Sequence, residues 1–501
     1  MATYADNADD YFGIQNVGLP DGCQVESVQS LQRHAERFPI HYPDDGLNND
    51  RFAEKLANFS TSLNSSASFT GPLTFLNSYK YIMDSSGLLT GLGAVTEFKS
   101  GVHFWNQYGR ILYNATQAQL SYNTSFSNGT ARPKITMRTT NQARIENSQI
   151  NWALGFFGNT FKETTNPTFA NVTDAFDVVI IPESEPENNT LASYDSCDNS
   201  VDDIIAYLGD FDVFEYIPLY LGPATERLNK YAPAGFKFTT NDTYAMQDIC
   251  AYEHGYIGMS DFCGLFTEDE WAGFENTLDM VYYYDYGYGN PTGRAQGIGY
   301  VQELLARLTG SYINSSSSSV NSTLDSNPDT WPLNQKFYLD FSHDDIIISA
   351  LAAMSMDYFR DPPSLTEFPP NPDRHFILSH LTPFGARMAT ETIGCSSPDP
   401  EEVEDFRTYY TPGQYGYDPE NAPYKFVRMR LNNGILPLNS IRGGACGNAT
   451  SGRTDGLCAL DNFLDSQTDS DYLANYQYAC FGNYTVDDPT SGKDYDGTIG
   501  L

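Results

Sequence analysis

The sequence predicts an α/β fold with a mixed central sheet and flanking helices, into which a smaller helical domain is inserted. Two observations support this prediction. Three short apolar runs each lead into a polar cluster and then into residues at helical spacing, a pattern typical of sheets that bind ligands beyond the carboxyl ends of their strands. Two later apolar runs, 426–431 and 435–438, are joined by Asn-Asn-Gly, which indicates a hairpin in the same sheet.

The three predicted strands with polar tips are residues 25–31, 134–137 and 336–341. They lead into Arg33-His34, Arg138 and His343-Asp344 respectively, and a helical pattern follows the second and third strands. A further apolar run, 177–181, reads as a buried strand. We therefore expect the three polar tips to converge on one pocket.

The domain organisation follows from a change of pattern near residue 200. Between about 200 and 330 the apolar residues take helical spacing, and Gly310 is placed to end a helix with a left-handed cap. We predict a discontinuous α/β catalytic domain from 20–200 and 330–485, a mainly helical insertion at 201–329, and a C-terminal tail at 486–501.

The charge of the chain restricts its partners and its habitat. Its 64 acidic and 28 basic residues give a formal charge of −36, which repels nucleic acid at neutral pH. Such a surface loses charge only as its carboxylates protonate, so the composition favours an acidic environment as a hypothesis.

The cysteines and glycosylation signals indicate a secreted protein. No CxxC pair or zinc-ligand spacing occurs, so four disulfides in an oxidising compartment fit best, with 105 pairings open to the eight cysteines. No run of about 18 apolar residues exists that could span a membrane. Twelve Asn-X-Ser/Thr sequons predict N-linked glycans, at Asn58, Asn64, Asn114, Asn123, Asn128, Asn171, Asn188, Asn241, Asn314, Asn321, Asn448 and Asn483.

The segment RHAERFP at 33–39 carries the clearest chemical signal. Hydrolysis of a phosphate monoester needs fixed cations for the phosphate oxygens, an in-line nucleophile and an acid for the leaving oxygen. Arg33, His34 and Arg37 could supply the first two. The competing interpretation is a surface salt bridge between Glu36 and Arg37, and for His343-Asp344 it is a helix cap with Asp344 at the N-cap.

Together these residues resemble the histidine acid phosphatases, in particular the fungal secreted phytases and acid phosphatases. The resemblance rests on RHAERFP at 33–39, FSHD at 341–344 and Arg138 in MRTTNQAR, and it covers most of the chain. It implies a phosphoglycerate-mutase-like sheet and hydrolysis through a phosphohistidine at His34. Asp344 would be the proton donor.

The resemblance also implies a binding set and a disulfide map. Arg33, Arg37, Arg138 and His343 would hold the phosphoryl oxygens of a small phosphate monoester, without metal or other cofactor. The other five histidines form no ligand motif. The implied disulfides are Cys23–Cys395, Cys197–Cys480, Cys250–Cys263 and Cys446–Cys458.

Two departures from the family pattern bear on function. Ala35 replaces a usual glycine, which would be costly only if the backbone there needed positive φ. Val281 and Tyr282 stand about where phytases tend to carry rim lysines, and this puts a strong preference for myo-inositol hexakisphosphate (phytate) in doubt.

Three other functions remain open on the sequence. A phosphoglycerate-mutase-like phosphotransferase would share the nucleophilic histidine, although secretion argues against it. A cofactor-binding protein could be suggested by glycine pairs such as Gly287 and Gly289, but these do not follow a strand with the spacing of a dinucleotide-binding loop. A glycosidase or a non-catalytic carbohydrate-binding glycoprotein would explain the 35 tyrosines but would release no phosphate from p-nitrophenyl phosphate.

Overall fold

The computed structural model describes residues 2–42, 45–62, 68–83, 86–116, 118–158, 175–184, 187–403, 406–408, 411–449, 453 and 455–500. Two of the predicted glycosylation sites, Asn64 and Asn171, lie outside these residues.

A single mixed sheet organises the described part of the chain. Its strands are β1 Cys23–Arg33, β2 Ile135–Thr140, β3 Phe176–Ile181, β4 Phe337–Ser342, β5 Arg387–Cys395, β6 Tyr424–Leu431, β7 Gly434–Ile435 and β8 Cys458–Ala459. The order is β3-β2-β4-β1-β5-β6-β7, with β8 also paired to β6. The pairs β3-β2, β2-β4 and β4-β1 are parallel, whereas β5 to β8 are antiparallel additions.

The central strands are buried as strands covered on both faces are, although β1 and β2 carry many polar side chains. Every residue of β4, FYLDFS, is buried, and β1 is buried over its last six residues. The hairpin β6-β7 turns at Asn432 and Asn433, which both have positive φ, as the predicted Asn-Asn-Gly turn requires.

Fifteen α-helices surround the sheet in the described residues. They are α1 Leu47–Ser62, α2 Gly91–Phe104, α3 Arg110–Leu112, α4 Ala143–Phe157, α5 Leu208–Asn229, α6 Thr240–Ile257, α7 Glu268–Asp285, α8 Gly293–Thr309, α9 Ser322–Asp325, α10 Asp344–Ala353, α11 Leu378–Leu381, α12 Ala445–Ala449, α13 Leu460–Ser466, α14 Ser470–Ala474 and α15 Tyr476–Phe481. A π-helical turn, Trp105–Gly109, joins α2 to α3.

Helices cover both faces of the sheet. On one face, α2 and α4 cross so closely that a Cβ at Gly101 would lie 2.0 Å from the carbonyl oxygen of Trp152. The indole of Trp152 stacks on Phe156 and on Phe337 of β4, so this helix pair is fixed to the sheet. On the other face, α8 and α10 share a core with Leu31 of β1.

The helical region at 201–329 was predicted as a separate insertion. Helices α5, α6 and α7 pack on one another, and α6 and α7 each begin with a capping box, at Thr239 and Thr267. However, α8 packs on α10, and α1 shares a core with α6. Helices α8 and α6 of the predicted insertion thus share cores with elements outside it, while the boundaries at 200 and 330 stay a prediction.

The disulfide pairing agrees with the expectation at all four bridges. Cys23–Cys395, Cys197–Cys480, Cys250–Cys263 and Cys446–Cys458 have Cα separations between 4.2 and 5.4 Å. Cys23 and Cys395 face each other across β1 and β5, so this bridge ties the strand that leads to His34 to the C-terminal half. None of the helices in the described residues has the length and apolar character of a membrane span.

Candidate active site

The site lies at the carboxyl edge of the four parallel strands. Because β1, β2, β3 and β4 run in the same direction, the segments that follow them meet at one edge of the sheet. Two backbone hydrogen bonds join these segments around His34: its N–H donates to the Ser342 carbonyl at 3.1 Å, and its carbonyl accepts from Gly385 at 2.9 Å. The predicted convergence of the first and third polar tips is therefore present.

His34 is held in one tautomer and in its neutral form. Its ring is 1% exposed, and Nδ1 lies 2.8 Å from the carbonyl oxygen of Ala35. A carbonyl can only accept, so Nδ1 carries the proton and Nε2 keeps a free lone pair. Burial, followed by the charges of Arg144, Arg33 and Arg37, lowers the pKa of His34 well below its usual value. The imidazole can then remain a nucleophile in acid.

Two arginines of the RHAERFP segment flank this ring. Arg33 forms an ion pair with Asp344 at 2.6 Å and donates to the Thr382 carbonyl, and its guanidinium lies 4.4 Å above the ring of Phe384. Arg37 pairs with Asp45 at 2.7 Å. Because Arg37 pairs with Asp45 and Glu36 is buried, the surface salt bridge between Glu36 and Arg37 is wrong.

A third arginine, Arg144 in the first turn of α4, reaches the site from the end of β2. Its charge lowers the pKa of His34 more than any other charged group does. Among the described residues, Arg144 makes no ion pair, and its buried Nε has no hydrogen-bond partner. The carboxylates that act on Arg144, Glu183 and Asp344, pair with His343 and Arg33 instead. A cation with no ion pair of its own beside the candidate nucleophile is suited to bind an anion.

Arg138 was predicted to bind phosphate, and that prediction is wrong. Its side chain is buried inside the sheet, where Nε and Nη2 donate to Asp340 at 2.7 and 2.9 Å and Nη1 and Nη2 donate to Glu303 at 2.8 and 2.6 Å. Arg138 lies in the middle of β2 rather than after it, and two carboxylates neutralise its charge.

Asp344 is the first residue of α10, and His343 occupies the N-cap position without a capping side-chain bond. The interpretation of Asp344 as the N-cap is therefore wrong. Burial favours a higher pKa for the Asp344 carboxyl, but Arg33, the hydroxyl of Tyr282 that donates to it, and Arg37 together hold that pKa below its usual range. One oxygen of this carboxyl accepts from the backbone N–H of Asp345 at 3.2 Å, and the other pairs with Arg33.

His343 completes the site through a carboxylate that the sequence did not reveal. Its ring centroid lies 5.9 Å from that of His34, and its Nε2 lies 2.8 Å from Glu183, just after β3. Burial opposes ionisation of Glu183, but its contacts with His343, Thr140 and Tyr194 lower its pKa to about 2. An ionised Glu183 fixes the orientation of the His343 ring.

Comparison with known proteins decides the family. Residues 24–411 match the histidine phosphatase superfamily (branch 2). The chain belongs to this superfamily. It is 30% identical to Phytase A of Aspergillus fumigatus over 433 residues, covering 85% of this chain and 84% of the relative, and 31% identical to Phytase A of Emericella nidulans over 472 residues, covering 91% and 85%.

Solved structures agree on the fold. The crystal structure of the phytase from D. castellii superposes with a TM-score of 0.69 at 23% identity, covering 97% of this chain and 87% of that one. A Bifidobacterium longum multiple inositol polyphosphate phosphatase superposes with a TM-score of 0.52 at 14% identity, covering 92% and 95%. The predicted fold class is confirmed, and as a member of the histidine phosphatase superfamily the chain is a phosphoric monoester hydrolase.

The two departures from the usual pattern of the histidine phosphatase superfamily have clear structural consequences. Ala35 is not among the residues with positive φ, so the methyl group is accommodated without backbone strain. Val281 and Tyr282 are both buried, and the Tyr282 hydroxyl donates to Asp344. A neutral donor thus contacts the candidate acid at the place where a rim lysine was expected.

Sequence reasoning missed Arg144 and Glu183, although a usable signal existed for the first. Pockets of this kind use residues that follow a strand, and Arg144 follows β2 whereas Arg138 lies within it. For Glu183 no local signal distinguishes it from the many other carboxylates, because its role depends on a contact with His343, 160 residues away.

Proposed function

We propose that this chain hydrolyses phosphate monoesters in acid through a phosphohistidine formed on Nε2 of His34. The observation that carries the proposal is the neutral, oriented imidazole of His34 surrounded by Arg33, Arg37 and Arg144, the last without a carboxylate partner among the described residues. A nucleophile among fixed cations suits attack on phosphorus.

In the first step the Nε2 lone pair attacks phosphorus while the bond from phosphorus to the ester oxygen breaks. Arg33, Arg37, Arg144 and His343 hold the other phosphoryl oxygens as negative charge builds on them. In the second step a water attacks phosphorus, the N–P bond breaks, and inorganic phosphate leaves.

Asp344 is the proposed general acid for the leaving oxygen and the base for the attacking water. Its neighbours keep it ionised in the protein alone, but the negative charge of a phosphate ester in the pocket raises its pKa and offsets the effect of Arg33. In acid the ester also binds as a monoanion that brings its own proton. The carboxyl is then protonated when the ester oxygen leaves.

The substrate class extends to inositol phosphates on the evidence of the relatives, which are named phytases. About where phytases tend to carry a lysine at the pocket rim, this chain has Tyr282, which offers one neutral hydroxyl. We propose broad activity on monoesters, with phytate as a substrate but without a strong preference for it.

Secretion and N-glycosylation complete the proposal. Four disulfides in one chain are typical of oxidising compartments, and the formal charge of −36 suits an acidic medium. Glycans would attach at sequons such as Asn241 and Asn314, which are partly or fully exposed.

The test is the His34→Ala variant, assayed with p-nitrophenyl phosphate at pH 5. Loss of the covalent route should leave less than about 1% of the wild-type kcat with the circular-dichroism spectrum unchanged. Acid quench of the wild type with ³²P-labelled substrate should trap phosphohistidine, and the variant should trap none. Activity above that level in a folded variant would overturn the assignment of the nucleophile.

A further inference from the structure

A second cavity, of about 450 Å³, lies near the start of β1 rather than at its end. Four arginines line it: Arg110, Arg407, Arg428 and Arg430. We call this the arginine cavity. Glu391, which also lines it, pairs in register with Val28, five residues before Arg33. At about 3.3 Å per strand residue, the arginine cavity is roughly 17 Å from the catalytic segment.

Its positive charge is unusual for this chain. The whole sequence has 28 lysines and arginines against 64 acidic residues, yet four arginines meet in one cavity. Among the residues that the structure describes, the carboxylates that act on them are Glu391, which pairs with Arg428 and Arg430, Asp21, which pairs with Arg407, and Asp9, whose charge acts on Arg430. The balance of these groups is positive within a strongly acidic protein.

One buried arginine, Arg428, has N–H groups that the described residues do not fully use. The residue is 3% exposed, its Nε donates to Glu391 at 2.6 Å, and its Nη1 makes only a long contact of 3.4 Å with the Gly18 carbonyl. Its Nη2 donates to no group in the described part of the chain. A guanidinium has five N–H donors, so Arg428 can donate to a ligand in the cavity as well as to Glu391.

We propose that the arginine cavity binds a small phosphate-bearing anion. The paired N–H groups of a guanidinium match two oxygens of a phosphate, and a cavity of about 300–1,000 Å³ can hold one small ligand. Leu19, Val25 and Ile111 form an apolar wall beside the arginines, which suits an organic phosphate as well as released inorganic phosphate. The site is independent of catalysis at His34.

The test uses Asn106, which lines the cavity and takes no part in the catalytic site. Asn106→Asp is nearly isosteric and adds a negative charge beside the arginines, whereas Asn106→Ser is the matched neutral control. Phenylphosphonate, a non-hydrolysable analogue of a phosphate ester, and inorganic phosphate are titrated calorimetrically into the full chain at pH 5. Binding is measured without turnover, so the result does not depend on the proposed reaction.

We expect two sites for at least one probe in the wild type and in Asn106→Ser. In Asn106→Asp, one of the sites should weaken at least tenfold while kcat/KM for p-nitrophenyl phosphate stays unchanged. Arg428→Lys, which keeps a cation for Glu391 but removes the fork, should weaken the same site. Tighter binding of phenylphosphonate identifies an organic phosphate as the ligand, and binding of phosphate alone identifies the released product. A single site in the wild type, or two sites unaffected by Asn106→Asp, overturns the proposal.

Discussion

The sharpest test of the site compares Arg138, which was predicted from the sequence to bind phosphate, with Arg144, which the structure places beside His34. Arg138→Met and Arg144→Met remove the same guanidinium from the same strand-helix unit, but we expect opposite results. Arg144 has no ion-pair partner among the described residues and acts on His34, so its loss removes a contact to the transferring phosphoryl group. Loss of one such contact lowers kcat/KM about 10²–10³-fold, with little change in the free energy of unfolding.

The expected loss of stability in Arg138→Met follows from the contacts that remain to Asp340 and Glu303 once the guanidinium is removed. Asp340 retains Arg307 at 2.6 Å, but Glu303 retains only neutral partners, the hydroxyl of Thr190 at 2.8 Å and the protonated carboxyl of Asp325. One buried carboxylate is left uncompensated, which costs about 3–5 kcal/mol of stability at pH 7.

Both variants are compared by urea unfolding at pH 7 and by kcat/KM on p-nitrophenyl phosphate at pH 5. The reasoning is refuted if Arg144→Met retains kcat/KM within tenfold of wild type. It is equally refuted if Arg138→Met lowers kcat/KM as much as Arg144→Met does while leaving the unfolding midpoint unchanged.

Four further outcomes are expected. Asp344→Asn should lose most activity on esters with poor alcohol leaving groups and least on p-nitrophenyl phosphate; equal losses would mean that another group is the acid. Tyr282→Lys should raise kcat/KM for phytate relative to p-nitrophenyl phosphate, since it restores a cation at the rim, and an unchanged ratio in a substrate panel would argue against that. Burial and the neighbouring Glu303 raise the pKa of Asp325 to about 9, well above its unfolded value of about 3.9. The folded protein therefore gains stability from protonated Asp325, fully below a pH of about 3.9, and loses that contribution as the pH rises towards 9. Thermal unfolding scans should therefore show a decline from pH 4 to 9 that is shallower in Asp325→Asn. The kcat/KM optimum should lie below pH 6 with an alkaline limb that becomes shallower in high salt; an identical limb at both ionic strengths would exclude long-range repulsion as its cause.

Local pattern was sufficient for the nucleophile and for the strands that lead to it. Residues 336–341 read as a buried strand because four of the six are apolar, and residues 25–31 carry Val25, Val28 and Leu31 among polar residues. Each run leads into its candidate site residues. Once the strands are parallel, the positions of His34 and His343 at one edge follow from strand direction alone. The same logic predicted a functional residue after β2, but the wrong arginine was chosen.

Contacts between distant segments decided the rest. Whether Arg138 or Arg144 is available to a phosphate depends on Asp340 and Glu303, which are 202 and 165 residues away from Arg138. The disulfide pairs likewise join segments up to 372 residues apart, and composition left all their pairings open.

Three features can be read directly along the chain: the fold class, the candidate histidine nucleophile with its neighbouring arginines, and the acidic character of the chain. These features depend on runs of a few adjacent residues or on totals, and both can be read along the chain. Folding was needed to show which cations lack an ion-pair partner in the described residues, that Glu183 orients His343, and that Tyr282 contacts Asp344. The charge that a buried group can offer a ligand is set by the partners that folding brings to it, and the order of residues does not specify those partners.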